Sequence, residues 1–148
     1  RRHLMASLEA EVERGRRYQR HLSVMFMDLD HFKRVNDTCG HPVGDAVLVA
    51  ASAHLKAMIR TADTLGRFGG EEFVVLMPDT PVDQAKLAVE RWLSGLPKLT
   101  IPGLGWPMTA SGGVTEFRSG DTAESILERC DQALYRAKAE GRACVRVG

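Results

Sequence analysis

Apolar and polar positions repeat along the chain with two periods, and the changes of period mark the elements. Leu4, Leu8 and Val12 recur every four residues among Glu and Arg, which predicts an amphipathic helix closing near Gly15 or soon after. Leu22 to Asp30 is apolar on both faces, as expected of a central strand covered by helices. Within it Asp28 continues the face of Val24 and Phe26, and Asp30 follows at the same period of two. His31 to Thr38 makes a short helix closed by Cys39-Gly40-His41-Pro42. Asp45 precedes a long helical stripe of Val47, Leu48, Ala51, Leu55 and Met58 or Ile59, ending around Arg60. Two short strands, Thr64–Phe68 and the run through Val74 to Met77, flank Gly69-Gly70. That pattern suits a tight hairpin, because the primed turns need positive φ.

Pro78-Asp79-Thr80-Pro81 is a stop and restart, and Ala85, Ala88, Val89, Trp92 and Leu96 make a third helical stripe. Pro97 to Pro107 reads as a loop or irregular edge hairpin, in which Trp106 is either a packing plug or an exposed contact. Met108 to Thr115 is a small-residue strand whose glycines let something approach closely. Ile126, Cys130, Leu134 and Ala137 build a last helix stopped by Gly141, and Ala143 to Val147 closes as a strand. Hairpins beside crossover helices, with no repeat or linker, predict one α+β (mixed α/β) domain over residues 1–148, its helices packed on a central sheet.

Composition narrows the partners. At 148 residues the chain is large enough for a self-sufficient core. A formal net charge of +1 removes the global basic field that nucleic-acid binding needs, so an anionic ligand must meet placed cations. Cys39, Cys130 and Cys144 are odd in number and lack metal-ligand spacing, which suits free thiols in a reducing cytosol. No apolar run approaches the roughly 20 residues of a membrane span. The start at Arg1, without an initiator Met, is expected of a domain excised from a longer protein with an upstream regulatory region.

The chemistry lies in carboxylates. Glu71 and Glu72 sit at the lip of an apolar strand, where they are either solvated or bind a divalent cation or carry a proton. Asp28 and Asp30 end a buried strand; they point to water, cap the next helix, or need a cation, since an unpaired buried carboxylate costs several kcal/mol, on the order of its desolvation. If strand and hairpin are neighbours, Asp28 and Glu71 converge. Asn36 and Asp45 are either caps and turn formers, Asp45 as a helix N-cap, or a pair able to read the donor edge of guanine. Arg60 and Asp63, three apart, taken alone make a surface ion pair of little worth.

Gly69-Gly70-Glu71-Glu72-Phe73 resembles the signature of the GGDEF family, the diguanylate cyclases, in its variant with Glu third. Asn36-Asp37-x-x-Gly40-His41-x-x-Gly44-Asp45 and Tyr135-x-Ala137-Lys138-x-x-Gly141-Arg142 extend the likeness, which runs from about Asp28 to Arg142. The resemblance implies a five-stranded, mostly antiparallel sheet akin to nucleotidyl cyclase cores and polymerase palms. It implies Mg²⁺ (or Mn²⁺) held by Asp28, Glu71 and the Leu29 carbonyl, with Glu71 and Glu72 catalytic. It further implies guanine recognition by Asn36 and Asp45, and phosphate contacts from Lys33, Lys138 and Arg142. Arg60 and Asp63 match its product-inhibition site. The expected activity is condensation of two GTP into cyclic di-GMP and two pyrophosphates by a homodimer. It would take place in the bacterial cytoplasm or at the cytoplasmic face of the inner membrane, under an upstream sensor and without nucleic acid. The alternative is a silent domain that receives cyclic di-GMP or binds GTP as a signalling or dimerisation module. One departure stands out: Ala143 occupies the place where the family usually has Asn after the Arg.

Overall fold

The computed structural model describes residues 1–148. Five helices and five strands follow the order of the hydrophobic pattern: α1 (Arg2–Tyr18), β1 (Leu22–Leu29), α2 (Phe32–Cys39), α3 (His41–Met58), β2 (Thr64–Arg67), β3 (Glu72–Pro78), α4 (Val82–Gly95), β4 (Ala110–Glu116), α5 (Ala123–Ala139) and β5 (Val145–Val147). The strands form one sheet of order β2-β3-β1-β4-β5, antiparallel except for the β4–β5 pair. The α+β class and the mostly antiparallel sheet are as expected.

β1 is apolar on both faces because both are covered. Met25, Met27 and Leu29 join a core with Phe32, Val47, Leu55, Val89 and Trp92 from α2, α3 and α4. Leu22, Val24 and Phe26 face Leu4, Leu8 and Val12 of α1 and Ile126, Cys130 and Leu134 of α5. Each such side chain contributes about 1.5–3 kcal/mol on leaving water, which clamps β1 in register from both sides. Trp106 packs against the larger core with the Arg34 guanidinium 4.6 Å over its ring, so it serves as a plug.

Three local expectations are corrected, and a helix end is refined. Neither Gly69 nor Gly70 has positive φ, so the hairpin carries no two-residue primed turn; the register Arg67↔Phe73 leaves a wider loop, with Phe68 N donating to Glu72 O at 2.8 Å. Asp45 is no N-cap: Gly40 caps α3, whose first turn holds Pro42, and Asp45 lies inside the helix. α5 stops at Ala139, just ahead of the Gly141 expected to end it, so Arg142 lies in the turn beyond the helix. The last strand begins at Val145, because Arg142 and Ala143 take left-handed φ of 64° and 49°.

The small residues of β4 do admit a close neighbour. A Cβ on Gly113 would collide with the Cys130 carbonyl and the Leu134 amide of α5, both backbone groups. Gly113→Ala is therefore expected to lower stability by about 1–3 kcal/mol, the ordinary cost of overpacking. An unchanged denaturant midpoint would contradict this packing.

Candidate active site

The C-terminal end of β1 and the N-terminal end of β3 meet at one edge of the domain. Their register sets Asp28 directly opposite Glu72, and opposed residues of an antiparallel pair share a face. Leu29 N donates to Glu71 O at 3.2 Å, which holds Glu71 beside Leu29, in the loop just ahead of β3. The partner across from Asp28 is thus Glu72, with Glu71 next to it. Gly69 clears this corner, since a Cβ there would collide with the Glu72 carboxylate. Arg67 fastens the loop through Nε bonds to the carbonyls of Gly69 (3.1 Å) and Gly70 (2.9 Å).

From the other side α5 brings Lys138, whose Nζ stands 3.2 Å from Asp28 Oδ2. Burial pushes the Asp28 carboxyl above its ordinary range; Lys138 opposes this, while the charges of Glu71 and Asp30 add to it. Glu72 is raised too, by burial first and then by Asp28, Glu71 and Asp131. One ammonium does not balance this many carboxylates. No three His, Cys, Asp or Glu side chains close on a single point. A magnesium ion does not need such a cage, because it keeps waters and uses one or two carboxylates plus substrate phosphates. The all-oxygen donors Asp28, Glu71 and Glu72 fit that ion.

Asp30 resolves differently from its neighbour. It is only 4% exposed, and its carboxylate accepts from Thr109 Oγ1 (2.7 Å), Ser111 Oγ (2.7 Å) and Ala143 N (3.1 Å). It neither points to water nor caps α2. The period of two through Asp28 marked it, but the partners that satisfy it come from about 80 and 113 residues away. Asp131 also went unread; it lies seven residues before Lys138, two turns along one face of α5.

The remaining residues lie on α2, on α3 and in the turn after α5. Gly40 joins α2 to α3 without a spacer, and Asn36 lies so close to α3 that a Cβ on Gly44 would collide with its amide oxygen. That sets Asn36 beside the turn carrying the exposed Asp45. Lys33 is exposed and paired with Asp37 at 3.2 Å, not with the carboxylate cluster. Arg142 is exposed in the turn after α5.

Arg60 and Asp63 lie elsewhere, toward the other end of β3. Asp63 has a side chain only 1% exposed; it accepts from Arg60 N (2.9 Å) and pairs with the Arg60 guanidinium at 3.1 Å. The same guanidinium donates to the Pro78 carbonyl and to Thr80 Oγ1, so this is no mere surface pair: it ties the α3–β2 link to the β3–α4 link. More than half of the Arg60 side chain stays exposed.

A family model described as "Diguanylate cyclase, GGDEF domain" matches residues 1–144. The diguanylate cyclase DgcP of Pseudomonas aeruginosa is 43% identical over 94% of this chain, which covers 21% of that protein. The active GGEEF domain of a diguanylate cyclase from Vibrio cholerae superposes with a TM-score of 0.94 at 32% identity, over 99% of this chain and 95% of that one. The GGDEF domain of DgcB from Caulobacter crescentus, solved in complex with c-di-GMP, superposes with a TM-score of 0.92 at 26% identity, over 96% and 86% of the two chains. The chain spans between about a fifth and two fifths of the length of the curated relatives it matches.

The crowding of carboxylates has a measurable cost. Glu72 binds its proton more tightly folded than unfolded, so its contribution is full below the ordinary value of 4.5 and is lost as pH rises through its raised value. Glu72→Gln is expected to raise the melting temperature at pH 7, with a gain that shrinks as pH falls and is gone well below 4.5. A gain independent of pH would contradict the electrostatic cause.

Proposed function

The chain belongs to the GGDEF family of diguanylate cyclases, and on that premise we propose that it condenses two GTP into cyclic di-GMP with release of two pyrophosphates. The observation that carries this reading is the opposed Asp28–Glu72 pair, with Glu71 beside it and Lys138 3.2 Å from Asp28.

Asp28, Glu71 and the Leu29 carbonyl would hold Mg²⁺ (or Mn²⁺), which when bound lowers the pKa of a ribose 3′-hydroxyl and polarises the α-phosphate. Asn36 and Asp45 read guanine: the exposed carboxylate accepts from N1–H and the N2 amine, and the amide serves the remaining edge. Lys138 and Arg142 neutralise charge on the triphosphate and the departing pyrophosphate, with Lys33 as a further cation on α2. The attacking 3′-hydroxyl forms a bond to the α-phosphorus as the bond to pyrophosphate breaks. The raised carboxyl of Glu72, beside Asp28 and Glu71, suits it to help take the proton. One site takes one GTP in this scheme, so two copies must face each other for two reactions to close the ring. Arg60, held by the buried Asp63 yet itself half exposed, is the contact for product inhibition by cyclic di-GMP. We place the activity in the cytoplasm of a bacterium, where GTP is available, under control of further domains.

Product analysis of concentrated chain with GTP and Mg²⁺ is expected to yield cyclic di-GMP from the wild type and none from Glu71→Ala. The rate per chain is expected to rise with concentration, and Asp45→Ser to weaken the preference for GTP over ATP on the order of tenfold, the loss of charged hydrogen bonds. A wild type without product, or with a rate per chain flat on dilution, would overturn the enzyme or the dimer respectively.

A further inference from the structure

The turn that follows α5 is conformationally expensive. Gly141, Arg142 and Ala143 have φ of 116°, 64° and 49° in succession, and only glycine adopts that region without strain. Arg142 N donates to Ala137 O at 3.0 Å, which closes the helix end but leaves the far side of the turn to be held by something else. At Ala143 the group that holds it is the Asp30 carboxylate, which accepts from Ala143 N, while Cys144 O beyond the turn accepts from Gly112 N at 3.0 Å. That carboxylate is itself locked by the hydroxyls of Thr109 and Ser111, and its backbone N donates to Thr109 O at 2.9 Å. One buried charge thus binds the end of β1, the start of β4 and the turn that carries Arg142. It sits two residues from Asp28, so the element that bears the carboxylates also sets the backbone of the cation.

We infer that Asp30 is a positioning residue for Arg142: it holds the left-handed turn so that the guanidinium is presented to the triphosphate beside Lys138. Asp30 does not touch the nucleotide. The inference rests on the proposed GTP site.

The test is equilibrium binding of a GTP analogue with a methylene bridge between the α and β phosphorus atoms, in Mg²⁺, to the whole chain. Asp30→Ala and Arg142→Ala are each expected to weaken binding about tenfold, the scale of a lost charge-assisted contact. The double variant is expected to be no weaker than either alone, because Asp30 acts through Arg142. Asp30→Asn is expected to stay within about threefold of wild type, since its amide oxygen still accepts from Thr109 and Ala143 while its NH₂ donates to the Ser111 oxygen. Additive losses in the double variant, or an Asn variant as weak as Ala, would overturn the role of Asp30. Should Asp30→Ala fail to fold, Ala143→Asn carries the same test, since Asn tolerates the left-handed region. It is expected to tighten binding about twofold, by stiffening the turn, but not when Arg142 is Ala; no tightening would overturn the inference. A wild type that does not bind the analogue would overturn the GTP site itself, an outcome distinct from wild-type binding that Asp30→Ala leaves unmoved.

Discussion

The structure depends on a conflict at the end of one strand. β1 runs through the middle of the sheet with helices on both faces, and that burial gives the domain its core. Yet the same strand ends in Asp28, and the sheet register adds Glu72 opposite it. Partly desolvated carboxylates so placed repel one another, and a single lysine is the only cation in contact with Asp28. A fold selected for stability alone gains nothing from this arrangement, which suits the divalent ion and polyphosphate of the proposed function.

Asp28 in β1 and Asp30 just beyond its end show how differently equal side chains are resolved. Asp30 is satisfied by the protein through two hydroxyls and a backbone amide. Asp28 has only Lys138, on a helix that a single long side chain bridges. The first is an internal strut. The second is the carboxylate that the proposed function gives to a metal ion. In the proposed function, positioning and binding are divided between two aspartates at one end of β1.

The hydrophobic pattern made most of the architecture legible. The two-sided apolarity of Leu22 to Leu29 located the central strand, and the glycines of β4 announced the approach of α5. Glu71, Glu72, Asp28 and Lys138 were marked as candidates, and they do gather at one corner. What could not be read was register and long-range partnership. Which glutamate faces Asp28 depends on the loop length around Gly69-Gly70, and Gly69 creates room for the Glu72 carboxylate where positive φ was expected. Asp45 looked like a cap because the first turn of α3, opened by Gly40 and Pro42, has no apolar stripe to mark it. The partners of Asp30 and the burial of Asp63 arise from contacts between distant segments, which local pattern does not encode.

The proposal that the Asp28 corner takes a divalent cation beside the Lys138 ammonium is tested most directly by binding of Mn²⁺ alone, followed by the loss of its free-ion magnetic resonance signal. Mn²⁺ is expected to bind the wild type, to be lost from Asp28→Asn, and to bind several-fold more tightly to Lys138→Met, which removes the competing ammonium. Binding to Asp28→Asn as to the wild type, or no tightening in Lys138→Met, would contradict it.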